Sequence, residues 1–205
     1  MELINKIKEL QKSEIKSVIE NRLKEFEEIK NSHQKIFSEL CFCILTANST
    51  AENCIRVQKE VEDKFEELDE LNLAKELKEK GCRFHTKRAG YICRARSNKE
   101  ELIKNINNKE EKELRNWIAD NIIGLGMKES SHFLRNIGFK NSAIIDFHIL
   151  DILEKEGLIK KPNKLDKRAY LKIEEVLENL AKQVDLNLSE LDLYLWYLET
   201  GKVLK

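Results

Sequence analysis

Residues that favour turns are scarce in this chain, and their scarcity limits the folds it can adopt. The 205 residues include seven glycines and one proline, Pro162. Leucine, isoleucine, lysine and glutamate are abundant, whereas glycine and proline are the residues that helices tolerate least. A sheet protein would have little material for its tight turns, so the sequence predicts an all-α fold.

Apolar residues recur about every 3.6 positions through most of the chain, which predicts amphipathic helices. We expect them over residues 1–12, 13–30, 39–46, 49–65, 69–80, 83–97, 110–122, 127–137, 146–157, 166–184 and 189–198, with a short helix plus loop over 98–108. Ser13 is a candidate N-cap, and residues 49–52 (STAE) have the form of a capping box. The helix over 39–46 is apolar on nearly all sides, which predicts burial.

Charge does not mark this chain as a general polyanion binder. It carries 37 acidic and 37 basic residues, so its net charge is zero. A local basic face remains open, because basic residues cluster in two windows. These are Arg83, Lys87, Arg88, Arg94 and Arg96, and then Lys160, Lys161, Lys164, Lys167 and Arg168. Each window is equally consistent with a solvated helix face.

The five cysteines predict packing rather than metal or cluster binding. They are Cys41, Cys43, Cys54, Cys82 and Cys93, with no C-x-x-C pair among them and none after position 93. We therefore expect no metal site and no iron–sulfur cluster, and the odd number argues against disulfides. The sequence has neither a signal peptide nor an 18-residue apolar run, which predicts a soluble cytoplasmic protein without membrane contact.

Residues 122–129 have the form of a hairpin between two helices. Gly124 and Gly126 flank Leu125, and glycines allow a tight turn that approaches another surface closely. The following helix offers unpaired N–H groups and the positive end of its dipole, which suit a phosphate. The hairpin carbonyls could also hold a monovalent cation that bridges to a second phosphate. Taken alone, Gly-x-Gly is more often an ordinary helix connection.

Two residues beside the hairpin have the chemistry of an active site. Lys128 falls in the first turn of the second helix, where the dipole and desolvation favour a neutral, nucleophilic amine. Asp146 follows the apolar residues 143–145, which predicts a carboxylate at the edge of the core. The alternatives are a solvated surface lysine and a plain N-cap, and for Asp146 alone the N-cap is favoured.

Several spaced motifs together resemble the helix-hairpin-helix DNA glycosylases. Residues 125–136 (LGMKESSHFLRN) and 144–148 (IIDFH) carry the resemblance, and the lysine is typical of the bifunctional members, which also cut the strand. The chain is more similar still to the small archaeal-type 8-oxoguanine DNA glycosylase/AP lyases. That similarity covers essentially the whole chain, including residues 40–48, 83–89, 191–198 and 201–205.

The resemblance implies a bifunctional repair enzyme that excises 8-oxoguanine from double-stranded DNA without a required cofactor. Lys128 would attack C1′, expel the base and form a Schiff base, and β-elimination would then cut the strand. Asp146 would stabilise the positive charge that develops on the sugar. We expect a monomer of two helical lobes with a DNA groove between them and the hairpin at their junction. One lobe would contain about residues 1–31 and 139–205, and the other about 32–138, including the hairpin unit 110–137.

The same resemblance assigns residues to recognition of the extruded base. The base would stack on Trp196, with His132 as the opposite wall, and the last residue, Lys205, would help to distinguish oxidised guanine from guanine. 8-Oxoguanine has an N–H at N7, where guanine has an acceptor, so an oxygen acceptor is required. The alternatives are a core tryptophan, a packed histidine and a frayed chain end.

Phe84, next to Arg83, is the expected wedge that fills the gap in the duplex, and Asn48 is a second candidate. A core phenylalanine and a loop asparagine are the alternatives. Ile123, Phe147 and Asp151 depart from the residues usual in the family, which puts local contacts with the DNA backbone in question. Two other functions fit parts of the sequence: a non-catalytic helix-hairpin-helix DNA-binding module, and a helical protein-interaction domain.

Overall fold

The computed structural model describes residues 2–47 and 49–205, and in these ranges it contains helices and loops but no strand. The helices are α1 (Glu2–Leu10), α2 (Ile15–Ile29), α3 (His33–Thr46), α4 (Ala51–Val61), α5 (Lys64–Glu67), α6 (Glu70–Glu79), α7 (His85–Ser97), α8 (Lys99–Asn108), α9 (Glu111–Asn121), α10 (Met127–Asn136), α11 (Phe147–Lys155), α12 (Lys167–Gln183) and α13 (Leu188–Thr200). The predicted all-α fold is confirmed. None of the helices in the described ranges has both the length and the apolar character needed to cross a bilayer.

Helix boundaries in the first half differ from the prediction where polar caps decide them. α3 begins at His33, well before residue 39, because the Ser32 side chain accepts a hydrogen bond from the Lys35 N–H at 3.3 Å. The predicted helix over 49–65 is two helices, since Glu62 adopts a φ of +36° and ends α4. Its cap is Thr50 rather than a Ser49 capping box, with the Thr50 hydroxyl accepting from the Asn53 N–H at 3.4 Å.

Three further helix boundaries also differ from the prediction. Ser13 does not occupy the N-cap of α2, which is Glu14; its hydroxyl accepts a hydrogen bond from the Ile15 N–H at 3.3 Å. The whole of residues 99–108 is helical, without the predicted loop. α13 begins one residue early, because Asn187 and Glu190 cap it reciprocally, with N–H to oxygen distances of 2.8 and 3.0 Å.

The buried apolar side chains form two clusters. One draws on α3 to α10, from Ile36 to Ile137, and the other combines α1 and α2 with α11 to α13. α3 lies within the first cluster and is buried on nearly all sides from Leu40 to Leu45, as its run of apolar residues predicts. The long-range association of the first and last helices means that neither end of the chain forms a core alone.

The clusters meet around α9 and α10. Gly138, just after α10, has a φ of +89°, and a Cβ there would lie 2.9 Å from the Glu27 Cα of α2, so only glycine permits this approach. Arg115 of α9 forms a paired contact with Glu174 of α12, and their side chains are 0% and 2% exposed. The helix pair α9–α10 and its hairpin are therefore held at the junction of the two clusters.

Candidate active site and nucleic-acid interface

The hairpin between α9 and α10 is exposed at its tip and constrained at one glycine. Gly124 has a φ of +97°, and a Cβ there would lie 2.5 Å from Cδ2 of Tyr91. Gly126 has a φ of −98° and room for a Cβ, so the turn itself requires only the first glycine. The Gly126 N–H donates to Glu129 Oε2 at 3.3 Å. Ile123 is 49% exposed at the tip, so the hairpin backbone is accessible to a ligand.

Lys128 lines a pocket of about 620 Å³. It occupies the first turn of α10. Its side chain is 31% exposed, and Nζ lies 3.6 Å from Glu129 Oε1. It is therefore neither a fully solvated surface lysine nor a buried one, and its amine can reach a ligand in the pocket.

Asp146 lines the same pocket and is also the N-cap of α11. Its Oδ1 accepts a hydrogen bond from the Ile149 N–H at 3.0 Å. The N-cap alternative is thus realised without excluding a role in the pocket, because a carboxylate has further acceptor positions. The cap fixes the orientation of the carboxylate beside the pocket that Lys128 also lines.

The extended segment before Asp146 is held by side chains of α12. The Tyr170 hydroxyl donates to the Ala143 carbonyl at 2.6 Å and accepts from the Ile145 N–H at 3.2 Å. The Ala143 N–H donates to Glu174 Oε1 at 2.9 Å. These bonds satisfy backbone groups that have no helix partner, and they set the position from which α11 and its cap begin.

The predicted base-recognition residues line this pocket as well. Trp196 is half-buried, its Nε1 is enclosed without a hydrogen-bond partner among the described residues, and the His148 ring packs edge-on against it at 5.5 Å. His132 packs edge-on against Phe42 at 5.6 Å. Burial, reinforced by the nearby Arg135, lowers the pKa of His132 well below its usual range. His132 is therefore a neutral wall at physiological pH.

Lys205, at the end of the chain, also lines the pocket. Its Nζ lies 2.5 Å from both Glu39 Oε1 and Gln58 Oε1, and 4.7 Å from the centroid of the Phe42 ring. The alternative of a frayed end is wrong, since the side chain is 16% exposed.

Asp192 is a pocket residue that the motifs did not identify. It pairs with Arg135, which is itself buried. Burial raises the pKa of Asp192, while Arg135 opposes that shift. The spacing could have predicted that Asp192 lies near the base-stacking residue, because it is four positions before Trp196 and such residues share a helix face. From the sequence, Asp192 was placed in the first turn of the last helix and within residues 191–198, which resemble the family, but no role was assigned to it.

The exposure of the predicted DNA-contacting residues, and their contacts with neighbouring side chains, bear on the roles expected of them. Phe84 is 52% exposed with a φ of +55°, so the alternative of a core phenylalanine is wrong. The Arg83 guanidinium lies 5.4 Å from the Phe84 ring centroid. Asn48 lies outside the described residues. Phe147, which departs from the family pattern, is 63% exposed and stacks on His148 at 3.8 Å between ring centroids.

The cysteines are free, and four of them are buried: Cys41, Cys43, Cys54 and Cys82. Burial raises the pKa of Cys41 and Cys43 well above the usual range, as expected of unreactive packing residues. Within residues 2–47 and 49–205, no group of three or more His, Cys, Asp or Glu side chains is arranged to hold a metal ion.

A lysine and a carboxylate that share a pocket beside an exposed glycine hairpin are the arrangement expected of the helix-hairpin-helix class of DNA glycosylases. Residues 19–186 match the 8-oxoguanine DNA glycosylase family. The chain is 50% identical to the 8-oxoguanine DNA glycosylase/AP lyase of Methanocaldococcus jannaschii, over all of both chains. It is 47% identical to the enzyme of the same name from Korarchaeum cryptofilum, over 100% of this chain and 98% of the other. The chain therefore belongs to the 8-oxoguanine DNA glycosylase family.

Solved structures agree with this assignment. The M. jannaschii 8-oxoguanine glycosylase/lyase in complex with a 15mer DNA containing 8-oxoguanine superposes with a TM-score of 0.96 at 50% identity, covering all of both chains. The 8-oxoguanine DNA glycosylase of Thermotoga maritima gives 0.94 at 38% identity, covering 100% of this chain and 99% of that chain. The fold of this chain is therefore one that accommodates DNA in a relative.

Proposed function

We propose that this protein excises 8-oxoguanine from double-stranded DNA and then cleaves the strand at the resulting abasic site. The proposal rests on one observation: Lys128, Asp146, Trp196 and Lys205 all line the same pocket. The family match and the names of full-length relatives support the same substrate and the same two activities.

Base release would begin with extrusion of the damaged nucleotide, because its glycosidic bond is inaccessible in the stacked duplex. The Lys128 amine would attack C1′, so that the C–N bond to the amine forms as the bond to the base breaks. The base leaves with the bonding electrons and takes up a proton, and the amine gives up its own. Opening of the sugar ring then yields a Schiff base. Asp146 would stabilise the positive charge on the sugar in the transition state.

Strand cleavage would follow from the same intermediate. The Schiff base acidifies the C2′–H, so loss of that proton expels the 3′-phosphate through cleavage of the C3′–O bond. Hydrolysis of the conjugated imine then frees Lys128. All of these steps use groups of the protein, DNA and water, which is why no cofactor is included in the proposal.

Recognition of the base would combine stacking with acceptors at its edge. Trp196 would supply a flat apolar face, and His132 would close the other side of the pocket. The N7–H of 8-oxoguanine requires an acceptor, and Asp192 and Lys205 both line the pocket, so the Asp192 carboxylate or a main-chain oxygen of Lys205 would supply it. Guanine offers a lone pair at N7, so an acceptor placed there would disfavour it.

DNA would be gripped outside the pocket by the hairpin and by Phe84. N–H groups around Gly124 and at the start of α10 would bind backbone phosphates, with a monovalent cation on the hairpin carbonyls as a second contact. Phe84 would enter the duplex in place of the extruded base, with Asn48 as the second candidate for this role, and Arg83 would contact the DNA. The enzyme would act as a monomer in the cytoplasm, at the nucleoid.

The proposal is tested with a duplex that contains 8-oxoguanine opposite cytosine and a matched duplex that contains guanine. We expect base release and strand cleavage on the first, with a preference of about 10³-fold or more over the second. Salt-sensitive binding without base release would instead indicate a non-catalytic hairpin module. No DNA affinity at low salt would indicate a protein-interaction domain.

Tyr170→Phe is expected to reduce excision by about tenfold, because small displacements of catalytic groups lower rates strongly. The hydroxyl it removes holds the segment that leads to Asp146, and we expect a stability loss of about 1–3 kcal/mol. Single-turnover excision and thermal unfolding are the measurements. Tyr194→Phe, at a buried tyrosine of α13, should leave excision unchanged. Equal excision by the Tyr170 variant and the native protein would refute the positioning role.

A further inference from the structure

Glu39 is a buried carboxylate for which the proposed catalytic scheme has no use. It lies within α3 in the apolar first cluster, and only 4% of the residue is exposed. A carboxylate at such a depth is costly unless hydrogen bonds and an opposite charge compensate for the loss of water. The groups that compensate Glu39 therefore indicate what it holds in place.

Glu39 and its neighbours Gln58, Asn136 and Phe42 form a socket that binds the Lys205 side chain. Gln58 Nε2 donates to Glu39 Oε1 at 3.0 Å, and Asn136 Nδ2 donates to Oε2 at 3.0 Å. Both of these donors are neutral. The ammonium of Lys205, 166 positions away, reaches Glu39 Oε1 at 2.5 Å. The Phe42 ring beneath the ammonium adds a cation–π contact at 4.7 Å.

The other end of Lys205 lies at the base pocket. Lys205 and His132 both line that pocket. One residue thus reaches from the Glu39 socket to a wall of the pocket. With the ammonium held in the socket, the main-chain oxygens of Lys205 are the polar groups of this residue left for a ligand in the pocket.

We propose that Glu39 is a positioning residue that determines base specificity through Lys205. Glu39 binds the Lys205 ammonium, and this anchor places the main-chain oxygens of Lys205 where an N7–H can be recognised. The inference rests on the proposed function for its substrate, but the anchoring of the tail is a property of the protein alone. The proposed function and the anchoring of the tail can therefore be refuted separately.

The tail offers a matched control in a second ion pair. Lys202 Nζ lies 2.7 Å from Glu52 Oε1, and the two side chains are 57% and 54% exposed. Exposed pairs of this kind contribute little, whereas loss of a buried partner leaves an uncompensated charge. Glu52→Gln and Glu39→Gln each replace a carboxylate that pairs with a lysine of the tail by an amide. Only Glu39→Gln changes a buried pair.

The first test compares Glu39→Gln with Glu60→Gln on 8-oxoguanine, guanine and preformed abasic-site duplexes, because Glu52 itself lines the pocket. We expect Glu39→Gln to lower the excision ratio of 8-oxoguanine to guanine by about tenfold or more, since a recognition contact is lost. Nicking of abasic DNA should stay within about threefold of the native rate, because Lys128 is untouched. Glu60→Gln, at an exposed carboxylate of α4 that does not line the pocket, should stay within about twofold in both assays. An unchanged ratio for Glu39→Gln, or an equal loss in all its activities, would overturn the proposal.

The second test needs no catalysis. A carboxypeptidase specific for basic C-terminal residues removes Lys205, and mass spectrometry follows the loss. Glu39→Gln and Glu52→Gln both keep the lysine, so the rate reports how well the tail is docked. Release should be about tenfold faster or more from Glu39→Gln than from Glu52→Gln or the native protein. Equal rates would overturn the anchor even if the protein excises 8-oxoguanine.

A variant at Lys205 tests the same contact if Glu39→Gln does not fold. Lys205→Met removes the ammonium and keeps the main-chain oxygens of residue 205 and the core. The proposal predicts the same loss of the 8-oxoguanine to guanine ratio, with restoration of most of it in Lys205→Arg, which keeps a cation for the socket. A Lys205→Met protein with the native ratio would contradict the anchoring role.

Discussion

Replacement of Lys128 with glutamine is expected to abolish both base release and strand cleavage while DNA binding persists. Glutamine preserves much of the length and polarity of the side chain but has no amine that can attack C1′. We expect single-turnover excision of 8-oxoguanine to fall by about 10³-fold or more, as when a covalent nucleophile is removed. The dissociation constant for the same duplex should change much less, because the hairpin and Phe84 are unaltered.

The matched control is Lys172→Gln on α12, an exposed lysine that does not line the pocket. It removes the same charge and should retain native excision, nicking and binding. If Lys128→Gln excised the base at a rate close to that of the native protein, the nucleophile would lie elsewhere. A parallel loss of binding and excision would show that Lys128 serves mainly to hold DNA.

The second large effect is expected on stability, at the buried pair that joins α9 to α12. Arg115 Nη2 lies 2.9 Å from Glu174 Oε2, and neither side chain is more than 2% exposed. Arg115→Met removes the buried cation that pairs with both oxygens of Glu174, and leaves the carboxylate with the half-exposed Lys112, whose Nζ lies 3.8 Å from Oε2. Such a loss costs about 3–5 kcal/mol, which for a chain of this size lowers the melting temperature by about 6–20 °C. Calorimetry or denaturant unfolding is the measurement.

A double variant separates the charge from the packing. Arg115→Met combined with Glu174→Gln removes both charges, and the amide oxygen of glutamine can still accept from the Ala143 N–H. We expect it to be more stable than Arg115→Met alone by about 1 kcal/mol or more. If the single variant lay within about 1 kcal/mol of the native protein, the pair would not be a principal link between the helices.

The helices could be predicted because their signals are local. Few glycines and prolines, together with apolar spacing near 3.6, were sufficient for an all-α fold and for most helix positions. Errors arose where several polar residues competed for one cap. Ser49 and Thr50 are both plausible caps, as are Asn187 and Ser189, and the sequence pattern does not indicate which backbone N–H each side chain reaches.

The pocket was predictable only to the extent that its residues belong to motifs. Lys128 and Asp146 lie close to the hairpin in sequence, and Lys205 followed from the resemblance to a family. The partners that hold these residues were not predicted. Glu39 and Lys205 are 166 positions apart, and Arg115 and Glu174 are 59 apart. Such contacts depend on how the helices pack, which local periodicity does not specify.

The most direct test of the catalytic proposal is reduction with borohydride during reaction with an 8-oxoguanine duplex. A Schiff base would be converted to a stable amine, and proteolysis with mass spectrometry would identify the linked residue. We predict a covalent protein–DNA adduct on the peptide that contains Lys128, and no adduct with Lys128→Gln. Base release without an adduct, or a link to another amine of the native protein, would contradict the assignment of Lys128 as the nucleophile.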